Sequence, residues 1–262
     1  MLLTSQRSIN MDQVLVYVVG TAGSGKTYLV KAFSDWLNFK KIDNIAVNLD
    51  PGADTIPYSA DVDVREWFTL EDIMAKYEVG PNGAQIIGAD LIATIVDEIK
   101  YEIEYYDVPY VLLDTPGQME LFVLRSSSEV IVEKLGKKSV MVYLFDPIVS
   151  KTPNGFLSLL FMSSSAVLKL NLPQIQVLSK ADLLDEVELK KIINWSSNPE
   201  TLYKDIGYER KTMSLELFHM LKDLGLFRPL IAASSTQGFG MDDIYDGIQE
   251  VFYGGDDLEM LY

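Results

Sequence analysis

The octapeptide Gly20-Thr-Ala-Gly-Ser-Gly25-Lys26-Thr27 restricts the folds open to this chain more than any other feature. It follows an apolar, β-branched run, Gln13–Val19, and precedes a helix-periodic one that begins Tyr28-Leu-Val-Lys-Ala-Phe. A glycine-rich link in that setting curls so that successive backbone N–H groups point inward, and the next helix adds its positive N-terminal end. The result is an anion cradle. Gly20, Gly23, Ser24 and Gly25 would shape it, Lys26 would reach the β- and γ-phosphates of a nucleotide, and Thr27 would ligate Mg2+. The alternative is a glycine-rich turn with an incidental lysine; strand, spacing, Lys and Thr together favour the phosphate loop.

Further apolar, β-rich runs recur at Asn44–Leu49, Tyr110–Leu113, Ser139–Phe145, Gln174–Leu178 and Leu230–Ala233, separated mostly by helix-periodic segments. They are continuously apolar rather than alternating, as in strands buried on both faces. The pattern predicts an α/β chain with a three-layer P-loop NTPase fold, a mostly parallel central sheet covered by helices on both faces. The candidate functional turns all follow the C-terminal ends of these strands. With 262 residues, 48% hydrophobic, the chain can bury the core of one such domain, expected over residues 11–253. Residues 1–10 read as a loose tail, 194–212 as a polar lid or insertion, and 254–262 as an acidic tail.

Charge and cysteine content narrow the function. Against 22 basic residues stand 38 acidic ones, a net charge of −16, which repels phosphate backbones and anionic lipid; neither direct nucleic-acid nor membrane binding is expected. The absence of cysteine excludes disulfides, thiolate zinc sites and cysteine nucleophiles, and fits a cytoplasmic location. The first residues lack the long apolar run of a signal peptide, and Met11 offers an alternative start. The most apolar long stretch, Phe156–Leu172, contains four serines and Lys169, so a packed helix is expected there, in the core or at a dimer interface.

Tyr110-Val-Leu-Leu-Asp114-Thr-Pro-Gly117-Gln118 places a carboxylate at the end of an apolar strand, before a Pro-Gly turn. Asp114 would hold Mg2+ through its water shell, because a hard cation wants oxygen ligands, and Gly117 can offer its N–H to the γ-phosphate with no side chain in the way. Gln118 could orient the attacking water. Asp50, in Asn48-Leu-Asp-Pro-Gly52, ends the second strand on the same sheet edge, where it either positions that water or makes an Asp-Pro turn. Ser179-Lys180-Ala-Asp182 approximates a guanine-recognition signature: the Asp182 carboxylate can accept from guanine N1–H and the 2-amino group, whereas adenine offers no such donor pair. Lys180 would lay its methylenes along the base. Asp182 could equally serve as the N-cap of the following helix. Ala232-Ala-Ser234-Ser resembles the turn that meets guanine O6 with a backbone N–H. The loop lacks the early lysine usual in related partition ATPases, since Val19-Gly20-Thr21 supplies none.

One more segment, Glu78-Val-Gly80-Pro-Asn82-Gly83-Ala84, lies between Asp50 and the Asp114 motif. By itself it reads as a tight turn, since Pro restricts φ and Asn-Gly tolerates positive φ. A second Pro-Asn-Gly at 153–155 also reads as an ordinary turn. The order P-loop, Asn-Leu-Asp-Pro, Asp63-Val-Arg65, Gly-Pro-Asn-Gly, Asp-Thr-Pro-Gly-Gln-Met-Glu120, Ser-Lys-x-Asp resembles the GPN-loop GTPases, of the SIMIBI class, over nearly the whole chain. The resemblance implies a homodimeric, Mg2+-dependent GTP hydrolase with an insertion at about 78–88, whose Asn82 reaches into the partner's site. It also implies that Asp50 positions the water with support from Gln118 and Glu120, and that the client is a protein, with RNA polymerase assembly the suggested case. The long C-terminal extensions of eukaryotic members are missing, as in a compact archaeal-type member. Two other activities stay open at this stage: a nucleotide-regulated scaffold whose turnover is incidental, and an ATP-using phosphotransferase. His219, the only histidine, sits in an apolar helical run and is expected to be packed or half-exposed. Asp61, Asp63 and Arg65 either support the segment after Asp50 or lie in a solvated loop.

Overall fold

The computed structural model describes residues 13–206 and 215–254. The expected tail 1–10, all but Gly254 of the expected tail 254–262, and the part of the expected lid at 207–212 lie outside the described residues. Among the described residues seven strands, β1 (Val14–Gly20), β2 (Asn44–Asn48), β3 (Val62–Asp63), β4 (Tyr110–Asp114), β5 (Ser139–Phe145), β6 (Gln174–Leu178) and β7 (Ile231–Ala232), form one sheet in the order β3-β2-β4-β1-β5-β6-β7. Every pairing is parallel. The connecting helices are α1 (Lys26–Phe39), α2 (Leu70–Tyr77), α3 (Pro81–Thr94), α4 (Val96–Tyr105), α5 (Met119–Phe122), α6 (Ser126–Leu135), α7 (Pro147–Ser150), α8 (Pro153–Leu170), α9 (Glu186–Ser197), α10 (Pro199–Ile206), α11 (Leu215–Asp223) and α12 (Met241–Tyr253).

The period-two geometry of a strand divides the core into two layers. Val14, Val16 and Val18 of β1 pack with Leu29, Val30, Phe33 and Leu37 of α1 and with Ile244 and Ile248 of α12. Leu15, Tyr17 and Val19 face the other way, into a layer shared with Ile99 of α4, Ile131 of α6, Phe156 and Leu160 of α8 and Trp195 of α9. All seven residues of β1, and all seven of β5, are buried, which is why those runs carry no polar alternation. Because every strand points the same way, the residues after Gly20, Asn48, Asp114, Phe145, Leu178 and Ala232 share one edge. β1 stands between β4 and β5, so the loop after it opens where the chain order reverses, the crevice in which open α/β sheets bind ligands.

Several local expectations are corrected. Gly80-Pro-Asn-Gly83 is the first turn of α3 and not a free-standing turn: Gly80 is extended at φ −76° and ψ 174°, Pro81 takes the first helical position, and Gly83 is not among the positive-φ glycines. The second Pro-Asn-Gly likewise opens α8, capped by the Thr152 hydroxyl, which accepts from the Gly155 amide at 3.1 Å. Residues 194–206 of the expected lid form the end of α9 and all of α10, broken at Asn198, with Trp195 and Leu202 buried and the Trp195 indole donating to Asp205 at 2.9 Å. β3 escaped the sequence pattern, being two residues long. Of the two settings expected for His219, the exposed one holds, with its ring edge-on to Phe218.

Candidate nucleotide-binding site

The loop from Gly20 to α1 wraps a cavity of about 570 Å3 that is also bordered by Asp50, Gly117 and Lys180 and by the Thr55–Pro57 stretch. That volume lies in the range of small-molecule sites, roughly 300–1,000 Å3. Gly25 holds φ 97°, a left-handed conformation that L side chains rarely adopt, and Gly23 holds 73°; these turn the chain into α1. Lys26 is buried, and its ammonium donates to the carbonyls of Gly20 at 3.0 Å, Thr21 at 3.2 Å and Gly117 at 2.7 Å. Burial pulls the Lys26 pKa below its ordinary value, opposed by the carboxylates of Asp114, Asp50 and Glu120.

Asp114 ends β4 beside the loop and is 2% exposed. Burial pushes its carboxyl up to about 6, against the lowering pull of Thr27, Tyr58 and Lys26, while Asp50 adds to the rise. Oδ2 accepts from the Tyr58 hydroxyl at 3.1 Å, whereas Oδ1 is buried without a hydrogen-bond partner among the described residues. An orphaned carboxylate oxygen beside a threonine hydroxyl, next to a phosphate cradle, fits a hard divalent cation completed by phosphate and water oxygens. Asp50 is held across the cavity. Its Oδ2 accepts from the Gly117 amide at 2.9 Å, its Oδ1 from the Gly52 amide at 2.9 Å, and its own amide donates to Asn48 at 3.0 Å.

On the base side the motif residues also brace the phosphate loop. The Ser179 hydroxyl donates to the Ser24 carbonyl at 2.7 Å and the Phe145 carbonyl at 3.2 Å, so it braces the phosphate loop against β5. Lys180 also bonds that loop, at the Gly23 carbonyl. Asp182 is not the cap of α9: Asp185 does that, with Glu188 completing a capping box. Among the described residues the Asp182 carboxylate accepts a long contact from the Thr236 hydroxyl at 3.4 Å. Ser234 is buried, its amide donating to the Phe239 carbonyl at 3.1 Å and its hydroxyl engaged by Thr236 and Gln237. It shapes the turn, and Ser235 is the next residue to offer an amide.

Gln118 and Glu120 are exposed at the start of α5, and Asn82 is exposed at the start of α3, outside the residues that border the cavity. Asp61, Asp63 and Arg65 prove structural: Asp61 accepts from the Ala46 amide at 2.9 Å, and Asp63 takes both Asn48 at 2.9 Å and the Arg65 guanidinium. The residues missed are Tyr58, Thr55 to Pro57, and Thr115, whose hydroxyl donates to the Val18 carbonyl at 2.7 Å. No periodicity marks them; the one hint is the apolar Ile56-Pro-Tyr58 inside an otherwise polar stretch.

Similarity to known proteins agrees with this layout. A family model described as "Conserved hypothetical ATP binding protein" matches residues 18–254. A GPN-loop GTPase of Pyrococcus abyssi is 38% identical over 207 residues, covering 78% of this chain and 79% of the relative. The chain belongs to the GPN-loop GTPase family. An Arabidopsis thaliana GPN-loop GTPase is 30% identical over 243 residues, 88% of this chain but 62% of that protein. The chain also spans 60% of a Dictyostelium discoideum member, at 28% identity. A crystal structure of a Pyrococcus abyssi GTPase in apo form superposes with a TM-score of 0.82 at 30% identity, covering 92% of this chain and 98% of that one. The three-layer α/β architecture is thus that of a GPN-loop GTPase. Among the described residues no helix is long and apolar enough to cross a membrane.

Proposed function

We propose that this chain binds GTP with Mg2+ and hydrolyses it to GDP and phosphate, as a cytoplasmic homodimer in which Asn82 of one copy completes the site of the other. The observation that carries the reading is the meeting of Lys26, Thr27 and Asp50 at one cavity, with Asp114 buried within electrostatic reach of Lys26 and the Gly117 amide in hydrogen bond to Asp50. Family membership supports the choice of GTP. So does Asp182, whose carboxylate is free of the helix-capping duty that would have competed for it.

In this reading the phosphates take the amides of the Gly20–Thr27 loop, and Lys26 exchanges its carbonyl partners for the β- and γ-phosphate oxygens. Asp114 Oδ1 and the Thr27 hydroxyl would hold the magnesium, which supplies charge neutralisation on the β/γ-phosphates when bound. Asp50, released from the Gly117 amide, accepts a hydrogen bond from a water and aligns it with the γ-phosphorus. The water oxygen forms a bond to phosphorus as the bond to the bridging oxygen breaks, a water proton passes to an oxygen of the departing phosphate, and GDP leaves. Gln118 and Glu120, exposed beside this point, orient the water from solvent's side. The guanine meets Asp182 by its N1–H and amino group, an amide of the Ser234–Ser235 turn by its O6, and the Lys180 methylenes by its face.

The coupled role is an assembly or chaperone-like switch acting on a protein client, with RNA polymerase assembly as the case implied by the resemblance. Multiple-turnover hydrolysis by wild type, Asn82→Ala and Asp50→Ala tests the catalytic half. Both variants should lose turnover by roughly 100-fold, in line with general-base and transition-state donor losses. Full activity in Asn82→Ala would remove that residue from the reaction, and equal saturation by ATP would remove the guanine assignment.

A further inference from the structure

We propose that Tyr58 is a positioning residue for the magnesium-binding carboxylate: its hydroxyl selects which oxygen of Asp114 faces the metal and so ties metal affinity to the segment between Asp50 and β3. The inference rests on the magnesium reading of Asp114 given above.

A carboxylate's two oxygens interchange by rotation about a soft, two-fold torsion, so a buried carboxylate presents one of them reliably only if the other is held. Asp114 meets that condition, with Oδ2 taken by the Tyr58 hydroxyl at 3.1 Å and Oδ1 buried and unpartnered. The donor is itself well anchored. The Tyr58 ring packs against the core layer that contains α1, so its hydroxyl is delivered by apolar contact and not by a mobile stem. Both flanks of the segment are tied down, Ala53 through its carbonyl to Arg65 at 2.7 Å and Asp61 through its carboxylate to the Ala46 amide at 2.9 Å. Between them Thr55, Ile56 and Pro57 border the nucleotide cavity. The residues that roof the nucleotide and the hydroxyl that orients the metal's carboxylate are thus one short stretch of chain. Partners one shell out from a metal commonly set its affinity by about 10–100-fold, because they remove the cost of reorienting the ligand. Tyr58 is in that position toward Asp114.

Tyr58→Phe tests this, since it deletes one oxygen and keeps the ring. Affinity for a fluorescent GDP is measured in excess EDTA and then across a magnesium titration. The expected result is an EDTA affinity within about twofold of wild type and a magnesium midpoint raised about tenfold. An unchanged midpoint overturns the proposal, and so does a loss of affinity equal in EDTA and in magnesium, which would mean that Tyr58 acts on the nucleotide through the segment alone. If the wild type itself shows no magnesium-dependent tightening, the magnesium reading of Asp114 fails, an outcome the wild-type titration separates from the other two.

Discussion

The Gly117 amide cannot serve two acceptors along one N–H vector. In this structure it donates to Asp50 Oδ2 at 2.9 Å, and the Gly117 carbonyl accepts from Lys26 at 2.7 Å. A γ-phosphate that takes that amide must displace Asp50, whereas GDP has no group to compete for it. A hydrogen bond to a charged group contributes about 1.5–3 kcal/mol, and about 1.4 kcal/mol is a factor of ten in affinity. Asp50→Ala removes the competitor and a negative charge from beside the γ-phosphate. It also strips the Gly52 amide of its partner at 2.9 Å, a cost common to both nucleotides. The ratio of GTP to GDP affinity should therefore rise about tenfold in Asp50→Ala, the lower end of that exchange, because water replaces the lost acceptor in the nucleotide-free variant. Equilibrium titration of both nucleotides in EDTA, which keeps magnesium out of the comparison, measures the ratio. A ratio that is unchanged, or that falls, would refute the competition between Asp50 and the γ-phosphate for one donor.

Three further outcomes follow from other parts of the site. Asp182→Asn replaces a two-oxygen acceptor with one acceptor and one donor, and should weaken GTP by roughly 10–100-fold while leaving phosphate-only contacts intact, read by competition with inosine triphosphate, which lacks the 2-amino group. Burial pushes the Asp63 carboxyl up, but hydrogen bonds from the Arg65 side chain and amide and from Asn48 outweigh it and hold the carboxyl below its usual value. A depressed carboxyl stabilises the fold above its unfolded pKa and loses that contribution as pH falls through the folded one. Acid unfolding of Arg65→Ala should therefore begin at a higher pH than that of wild type, followed by circular dichroism. Gly88→Ala would place a Cβ 3.1 Å from Pro51 Cγ and 3.2 Å from Ile73 Cδ1. A helix gains about 1 kcal/mol from Gly→Ala, so the melting temperature should hardly move while turnover falls several-fold through the displaced Asp50–Pro51 loop.

The core strands were legible because burial on both faces removes every competing pattern: β1, β2, β4, β5 and β6 fall where the apolar runs lie, within a residue at either end. β7 likewise falls within a residue of its run, Leu230–Ala233, whereas β3 had no run to mark it, since two residues at a sheet edge carry no period. Among the site residues, those whose chemistry is local to a motif, Lys26, Asp50, Asp114 and Gly117, converge on one cavity or its wall. Ser179 and Ser234 could not be placed from their motifs, because their hydroxyls answer to partners that tertiary folding brings up: the Ser24 carbonyl, 155 residues earlier, and the amide of Gln237. Tyr58 was invisible for the same reason. Its partner lies 56 residues ahead, on a strand two places across the sheet from β3.

The Gly80-Pro-Asn-Gly83 segment shows how a local rule can be sound and still assign the wrong element. Pro before Asn-Gly suits a tight turn, yet Pro at the first position of a helix is equally favourable, and the run Ala84-Gln-Ile-Ile-Gly-Ala-Asp-Leu-Ile that follows has the apolar content to continue one. Burial of Ala84, Gly88, Ala89 and Ile92 on one face decided the matter in favour of α3. The mechanical consequence is large. A turn would move independently of its surroundings, but Asn82 at the head of a 14-residue helix moves with that helix. Along the same helix, Gly88 lies against Pro51, the residue after Asp50, and Asp90 is ion-paired to Arg125, shortly after the Gln118–Glu120 stretch. Any displacement of Asp50 or of the Gly117–Glu120 loop by a γ-phosphate therefore presses on the element that carries Asn82. In a dimer whose partner site is completed by that asparagine, nucleotide state in one copy would be transmitted to the other through a rigid rod and not through a flexible loop.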